Sequence, residues 1–146
     1  MKKLFTLIAL LAMATPVFAA DKYASVDIDK VLKGYKKTAT INKTFQQREA
    51  DIRVFIVDAQ KSVVAATTDA ERKKLEDKYA KELKAKMDKL QKDKIAALQG
   101  IEKDVKKAID AEGKKGVYAL ILTSNTTLYG TVDISDSIIK TLNAAP

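Results

Sequence analysis

From Ile41 onward the apolar positions recur at alternating intervals of four and three. Positions 41, 45, 48, 52, 55, 59, 62 and 66 read Ile, Phe, Arg, Ile, Phe, Ala, Ser, Ala, an imperfect heptad seam. A second seam follows at 87, 90, 94, 97, 101, 105 and 108, reading Met, Leu, Lys, Ala, Ile, Val, Ala. Glycine and proline are missing from the span of about 65 residues between Gly34 and Gly100, so this region is predicted to be helix. One interruption is expected, at Thr67-Thr68-Asp69-Ala70-Glu71. There Thr68, with Glu71 three residues on, has the form of a capping box that starts a new helix. Two seams separated by a turn can bury each other, which predicts an antiparallel helical hairpin with arms from about Asp29 to Ala66 and from about Ala70 to Glu112. At 1.5 Å per residue each arm is roughly 55–65 Å long, too long for a compact globule. The competing reading makes Ile52–Ala59 a β-strand because it is β-branched, but its flanks lack turn residues and the helical seam runs through it.

Outside the hairpin the period changes from helix to strand. Tyr23–Ile28 alternates and leads through Asp29, a candidate N-cap, into the first arm. Gly113-Lys114-Lys115-Gly116 ends the second arm, with a glycine just past the helix as its terminator. Val117–Leu122, Thr126–Gly130 and Thr131–Ile134 read as strand, and Ser135 caps a last helix, SDSIIKTLN. These leftover elements hold only about 45 residues, near the size at which one chain rarely buries enough apolar surface to fold alone. Sharing strand edges among copies would supply the missing core and remove exposed edges.

The first twenty residues combine two lysines, an apolar run of about eleven residues from Leu4 to Ala14, then Pro16 and small residues. This is the layout of a secretory signal peptide (residues 1–19), cleaved after Ala19 and too short to span a membrane. The remaining divisions are a β-rich body, 20–28 and 113–146, and a hairpin arm, 29–112. The chain has no cysteine and no histidine, which excludes disulfides, thiol chemistry, His-ligated metal sites and a Ser-His-Asp triad. The formal net charge is +8, and removing Lys2 and Lys3 leaves 8 − 2 = +6. Asp29–Ala66 carries eight basic and four acidic residues and Glu71–Gly116 fifteen and ten, so the arms sum to +9 and the rest to −3.

Candidate chemistry is sparse. GKKG lacks the spacing of a phosphate loop. The carboxylates lie among lysines with no acid/base pair singled out, so the reading is a protein that is not an enzyme and needs no cofactor or metal. Val54, Val57 and Val64 point about 140–160° from the seam and cannot all be covered by the partner arm. With the adjacent Phe55 they are candidate residues for contact with apolar partners, against the plainer alternatives of scattered surface valines or packing on another copy's arm. Lys73, Lys74, Lys78, Lys81 and Lys84 form a candidate electrostatic surface, partly explained by i,i+4 pairs such as Glu82 with Lys86 and Asp77 with Lys81. Gly34 and Gly100 are expected to face each other at the base of the hairpin, as a hinge letting the arms splay, or, more plainly, as points of close packing or a helix end near Gly34.

With YASVDIDKVL, the lysine-rich hairpin, GVYALIL, LYG and VDISDSIIKTLN in this order, the chain resembles the Skp or OmpH-like periplasmic chaperone family over essentially the whole mature sequence. The resemblance implies an α+β fold: a long antiparallel helical hairpin on a small β body that forms a shared barrel in a homotrimer. It further implies a periplasmic, ATP-independent holdase whose arms enclose unfolded outer-membrane proteins. Lipopolysaccharide or an anionic membrane surface is an added partner class, for which no residues are placed by matching. The rival reading is a periplasmic coiled-coil spacer of the cell envelope. Nucleic acid is favoured by charge but opposed by the signal peptide and by the shortage of aromatics on the arms.

Overall fold

The computed structural model describes residues 22–144; the signal segment and its cleavage site lie outside the described residues. The order is β1 (Lys22–Val26), α1 (Ile28–Gly34), α2 (Lys36–Val64), α3 (Asp69–Gly116), β2 (Tyr118–Thr123), a 3₁₀ turn (Ser124–Thr126), β3 (Val132–Asp133) and α4 (Ser135–Ala144). The expected hairpin is present as α2 and α3. Ile52–Ala59 is helical: Ile52, Phe55 and Ala59 continue the seam against the second arm, while the β-branched Val54 and Val57 stay exposed. At 1.5 Å per residue the 29 residues of α2 span about 44 Å and the 48 of α3 about 72 Å. The longer helix therefore runs past the base of α2 into the body, where Ile101, Val105 and Ala108 are buried. Thr68 caps α3 as expected: its side chain accepts from the Glu71 N–H, and the Glu71 carboxylate accepts from Thr67.

Three boundaries differ from the sequence reading. The first arm is two helices: Tyr35 takes an extended conformation (φ −79, ψ 111) and separates α1 from α2. The N-cap of α1 is Asp27, which accepts from the Lys30 N–H, while Asp29 sits in the first turn. Gly116 is the last helical residue of α3, and the left-handed position falls on Val117 (φ 53, ψ 47), an outlier for a β-branched side chain. Gly116 is itself required by close packing, since a Cβ there would overlap the Tyr118 ring. Of the late strand reading only Val132–Asp133 pairs; Thr126 closes the 3₁₀ turn and 127–131 forms a loop.

The three strands form a parallel sheet in the order β2-β1-β3. The register pairs Ala24 with Ile121 and Val132, and Ser25 with Leu122 and Asp133. Because side chains alternate, Ala24, Val26 and Ile121 point to one face and join the core with Val31, Tyr35, Ile101, Val105, Ile134, Ile138 and Leu142. Tyr23, Leu120 and Leu122 fall on the opposite face and are exposed. Parallel sheets ordinarily have both faces covered; among the described residues this face keeps Ser25 buried but leaves Tyr23, Leu120 and Leu122 37–48% exposed. Beside it Leu128 and Tyr129 are almost fully exposed, at 105% and 97%.

Candidate functional site

The free end of the arm carries an open apolar groove. On α2 the seam residues Phe55, Ala59 and Val63 face Tyr79, Ala80 and Leu83 of α3, and with Ile56 and Val64 they line a groove of about 360 Å³. Phe55 and Tyr79 meet edge to face, with ring centroids 5.8 Å apart at 74°, a favoured aromatic geometry. Lysine ammonium groups lie over both rings, Lys86 4.9 Å from the Phe55 centroid and Lys78 5.6 Å from that of Tyr79. Nearer the body, ion pairs bridge the two helices: Arg48 to Asp93 at 2.8 Å, and Lys94 to Glu49. The Lys94 contact holds the Glu49 carboxyl below its ordinary value.

The chain is similar in structure to an OmpH-like outer membrane chaperone from Caulobacter crescentus. The two are 12% identical, the match covers 86% of each chain, and the TM-score is 0.39. No family model and no curated protein matches the sequence. The α+β architecture of long helices on a small sheet is that of the present chain itself.

The candidate client-contacting residues divide by position. Val64 is 81% exposed and forms part of the groove wall, while Val54 and Val57 are exposed outside it. Phe55 is half-buried in the seam. In helical projection Val57 and Val64, seven residues apart, fall on the flank that Ile56 opens, and Val54 lies farther round. Lys73, Lys74, Lys78, Lys81 and Lys84 are all exposed. Glu82 keeps i,i+4 pairing but with a different partner from the one expected: it meets Lys78 at 4.0 Å, and Lys86 turns to the Phe55 ring. The i,i+4 approach of Asp77 to Lys81 does not appear among the ion pairs of the described residues.

The two candidate hinge glycines do not face each other. Cross-links Lys37–Asp104 and Arg48–Asp93 each pair residues whose numbers sum to 141, so Gly100 lies level with residue 41 and Gly34 level with residue 107. Gly34 ends α1 against Ile139 of α4, where a Cβ would come within 2.7 Å of the Ile139 Cδ1. Gly100 lies within unbroken α3 and has nothing within 4 Å of its Cβ position. Beside the break the Tyr35 hydroxyl donates to Asp104 at 3.1 Å, and the Lys37 ammonium reaches the same oxygen at 2.6 Å. These contacts, the Lys37 hydrogen bond first, lower the Asp104 pKa, whereas burial and then the Asp104 carboxylate raise that of Tyr35.

Sequence reasoning missed Glu112, whose role comes from long-range contacts. It is buried at 8% exposure and accepts from the Ser137 and Thr141 hydroxyls of α4. Spacing could have flagged it, since Glu112 lies four residues past Ala108 on the buried face of α3 with Ile101 and Val105, a charge at a core position; its partners Ser137 and Thr141, one helical turn apart, were not legible. Among the described residues no group of three or more His, Cys, Asp or Glu is placed to hold a metal ion, and no helix is long and apolar enough to cross a membrane.

Proposed function

We propose that the protein is an exported, ATP-independent holdase chaperone. Its substrates are unfolded outer-membrane proteins, held between helical arms and kept from aggregating in the periplasm. One observation carries this reading: an open apolar groove, flanked by exposed valines, at the free end of a lysine-rich arm. Exposed apolar surface framed by charge marks an interaction site, and open geometry suits many weak contacts with a mobile chain better than recognition of one ligand. Val54, Val57, Val64 and Phe55 supply the apolar contacts. Lys73, Lys74, Lys78, Lys81 and Lys84 supply the field that draws in acidic partners, anionic membrane surfaces and lipopolysaccharide among them.

The body supplies the assembly. The sheet face exposed at Tyr23, Leu120 and Leu122, together with Leu128 and Tyr129, is covered when copies associate, and a homotrimer sharing one barrel is the arrangement proposed. Three arms then surround one cavity and triple its positive charge. The test uses the mature protein without nucleotide and a urea-denatured β-barrel membrane protein diluted into buffer, with light scattering recording aggregation. The unmutated protein is expected to suppress scattering. Replacing Val54, Val57 and Val64 together by Ser is expected to weaken suppression while leaving the oligomer intact, and raising the salt is expected to slow capture. No suppression by the unmutated protein refutes the chaperone reading and favours the spacer.

A further inference from the structure

The break between α1 and α2 is closed by a side chain from the other end of the chain. In an unbroken helix the Lys36 N–H would donate to the carbonyl of residue 32, and the Gly34 carbonyl would accept from the N–H of residue 38. Here the Tyr35 N–H still donates to Val31 at 2.9 Å, closing α1, but Thr38 N–H turns to the Tyr35 carbonyl at 3.0 Å. Two of the groups left over, the Lys36 N–H and the Gly34 carbonyl, meet Asn143, in the last turn of α4. Its Oδ1 accepts from the Lys36 N–H at 2.9 Å, and its Nδ2 donates to the Gly34 carbonyl at 2.9 Å. A side-chain amide, with the donor and acceptor of a peptide group, is spliced into the interrupted helix. The reverse orientation of the amide would set donor against donor and acceptor against acceptor.

The splice lies at a mechanically sensitive point. Tilting a two-helix arm lengthens the path of one helix and shortens the other, so one must slide relative to its partner at the base. The α3 helix enters the body unbroken and is bolted to α4 through Glu112. Sliding is therefore available only at the α1/α2 break. The α1 side of that break is fixed, because Val31 is fully buried and Gly34 packs against Ile139. The α2 side borders a cleft of about 700 Å³ between α2, α3 and α4, lined by Lys37, Thr40, Asp104, Lys107 and Thr141; across it α2 is tied to α3 by the solvent-exposed Lys37–Asp104 pair, a contact that sliding exchanges at small cost. Asn143 also belongs to a terminal helical turn, the kind of segment that opens at low free-energy cost.

We infer that the last turn of α4 is a latch that sets the direction of the arm, through the Asn143 carboxamide spliced between Gly34 and Lys36. Release of the latch frees α2 to slide along α3, and anything that forces the arms apart pulls on α4 in return. This inference goes beyond the chaperone reading and does not depend on any client.

The chain has no cysteine, so two introduced ones define a single spin-label pair. Labels at Asn125 in the body and Ala70 at the arm end, both exposed, are measured by pulsed electron resonance in the full mature protein, diluted with unlabelled copies. Asn143→Ala and Gly34→Ala, the latter pushing Ile139 and α4 away, are expected to broaden and shift the distance distribution. Amide exchange reads the latch directly. In the unmutated protein Lys36 is expected to exchange together with the end of α4, and Asn143→Ala to speed it roughly tenfold, the loss of about 1.4 kcal/mol. Distributions that superimpose for all three proteins overturn the inference. So does a Lys36 amide in the unmutated protein that exchanges as slowly as the interior of α2, a result that stands even if the variants fail to fold.

Discussion

Glu112→Gln isolates the buried carboxylate that joins the arm to the C-terminal helix. The Glu112 side chain is 10% exposed, with the Ser137 hydroxyl on Oε2 and the Thr141 hydroxyl on Oε1 at 2.8 Å. Lys115 lies 3.7 Å away but is mostly in solvent, so it adds little. Glutamine keeps one acceptor oxygen and presents an NH₂ group to the other hydroxyl, so about one charge-assisted hydrogen bond is lost. That is worth about 2 kcal/mol at pH 7, a sizeable part of the ~5–15 kcal/mol that holds a domain. The pH dependence follows from the same contacts. The Ser137 bond first, then Thr141, depress the Glu112 pKa below its ordinary 4.5. A depressed carboxyl contributes stability that is fully present above its unfolded value and is lost as pH falls through the folded one. Urea unfolding of both proteins at one fixed concentration is expected to show a gap of about 2 kcal/mol at pH 7 that narrows below pH 4.5, because protonated Glu and Gln are nearly alike. Taking the difference between the two proteins cancels the other depressed carboxyls, Glu49, Asp104 and Asp133. Equal midpoints at pH 7, or a gap undiminished near pH 3, would refute the argument.

Two backbone predictions follow from the glycines and the left-handed residue. Gly100→Ala meets no atom within 4 Å and gains helix propensity, so it is expected to stabilise the protein by about 1 kcal/mol in urea unfolding; a lower midpoint would mean that the site needs its glycine. Val117→Gly relieves about 1–2 kcal/mol of left-handed strain and returns about 0.5–1 kcal/mol through the freer unfolded chain. The Val117 side chain is 78% exposed and has little burial to lose, so thermal melting is expected to stay level or rise. A clear fall would assign that side chain a contact with another copy.

The sequence by itself determined the hairpin. Heptad spacing, an uninterrupted run without glycine or proline, and a capping box are local signals, and they gave α2, α3 and the Thr68 turn where they are found. It also determined that Val54, Val57 and Val64 would be exposed, since direction around a helix depends only on spacing. Tertiary structure decided whatever depended on residues far apart in the chain. Gly34, the last residue of α1, marked a possible helix end in the sequence, but the tertiary structure decided that the chain breaks there: Tyr35 packs into the body and Asn143 bonds to backbone groups on both sides. The offset of Gly34 and Gly100 follows from the break after Gly34 and the register in which α2 packs on α3, and the exposed residues Tyr23, Leu120 and Leu122 from a parallel pairing with β1 at its centre. Short-range patterning chooses elements because each residue's φ and ψ answer to its neighbours. The partners of a buried carboxylate, a carboxamide or a sheet face are chosen only when those elements pack.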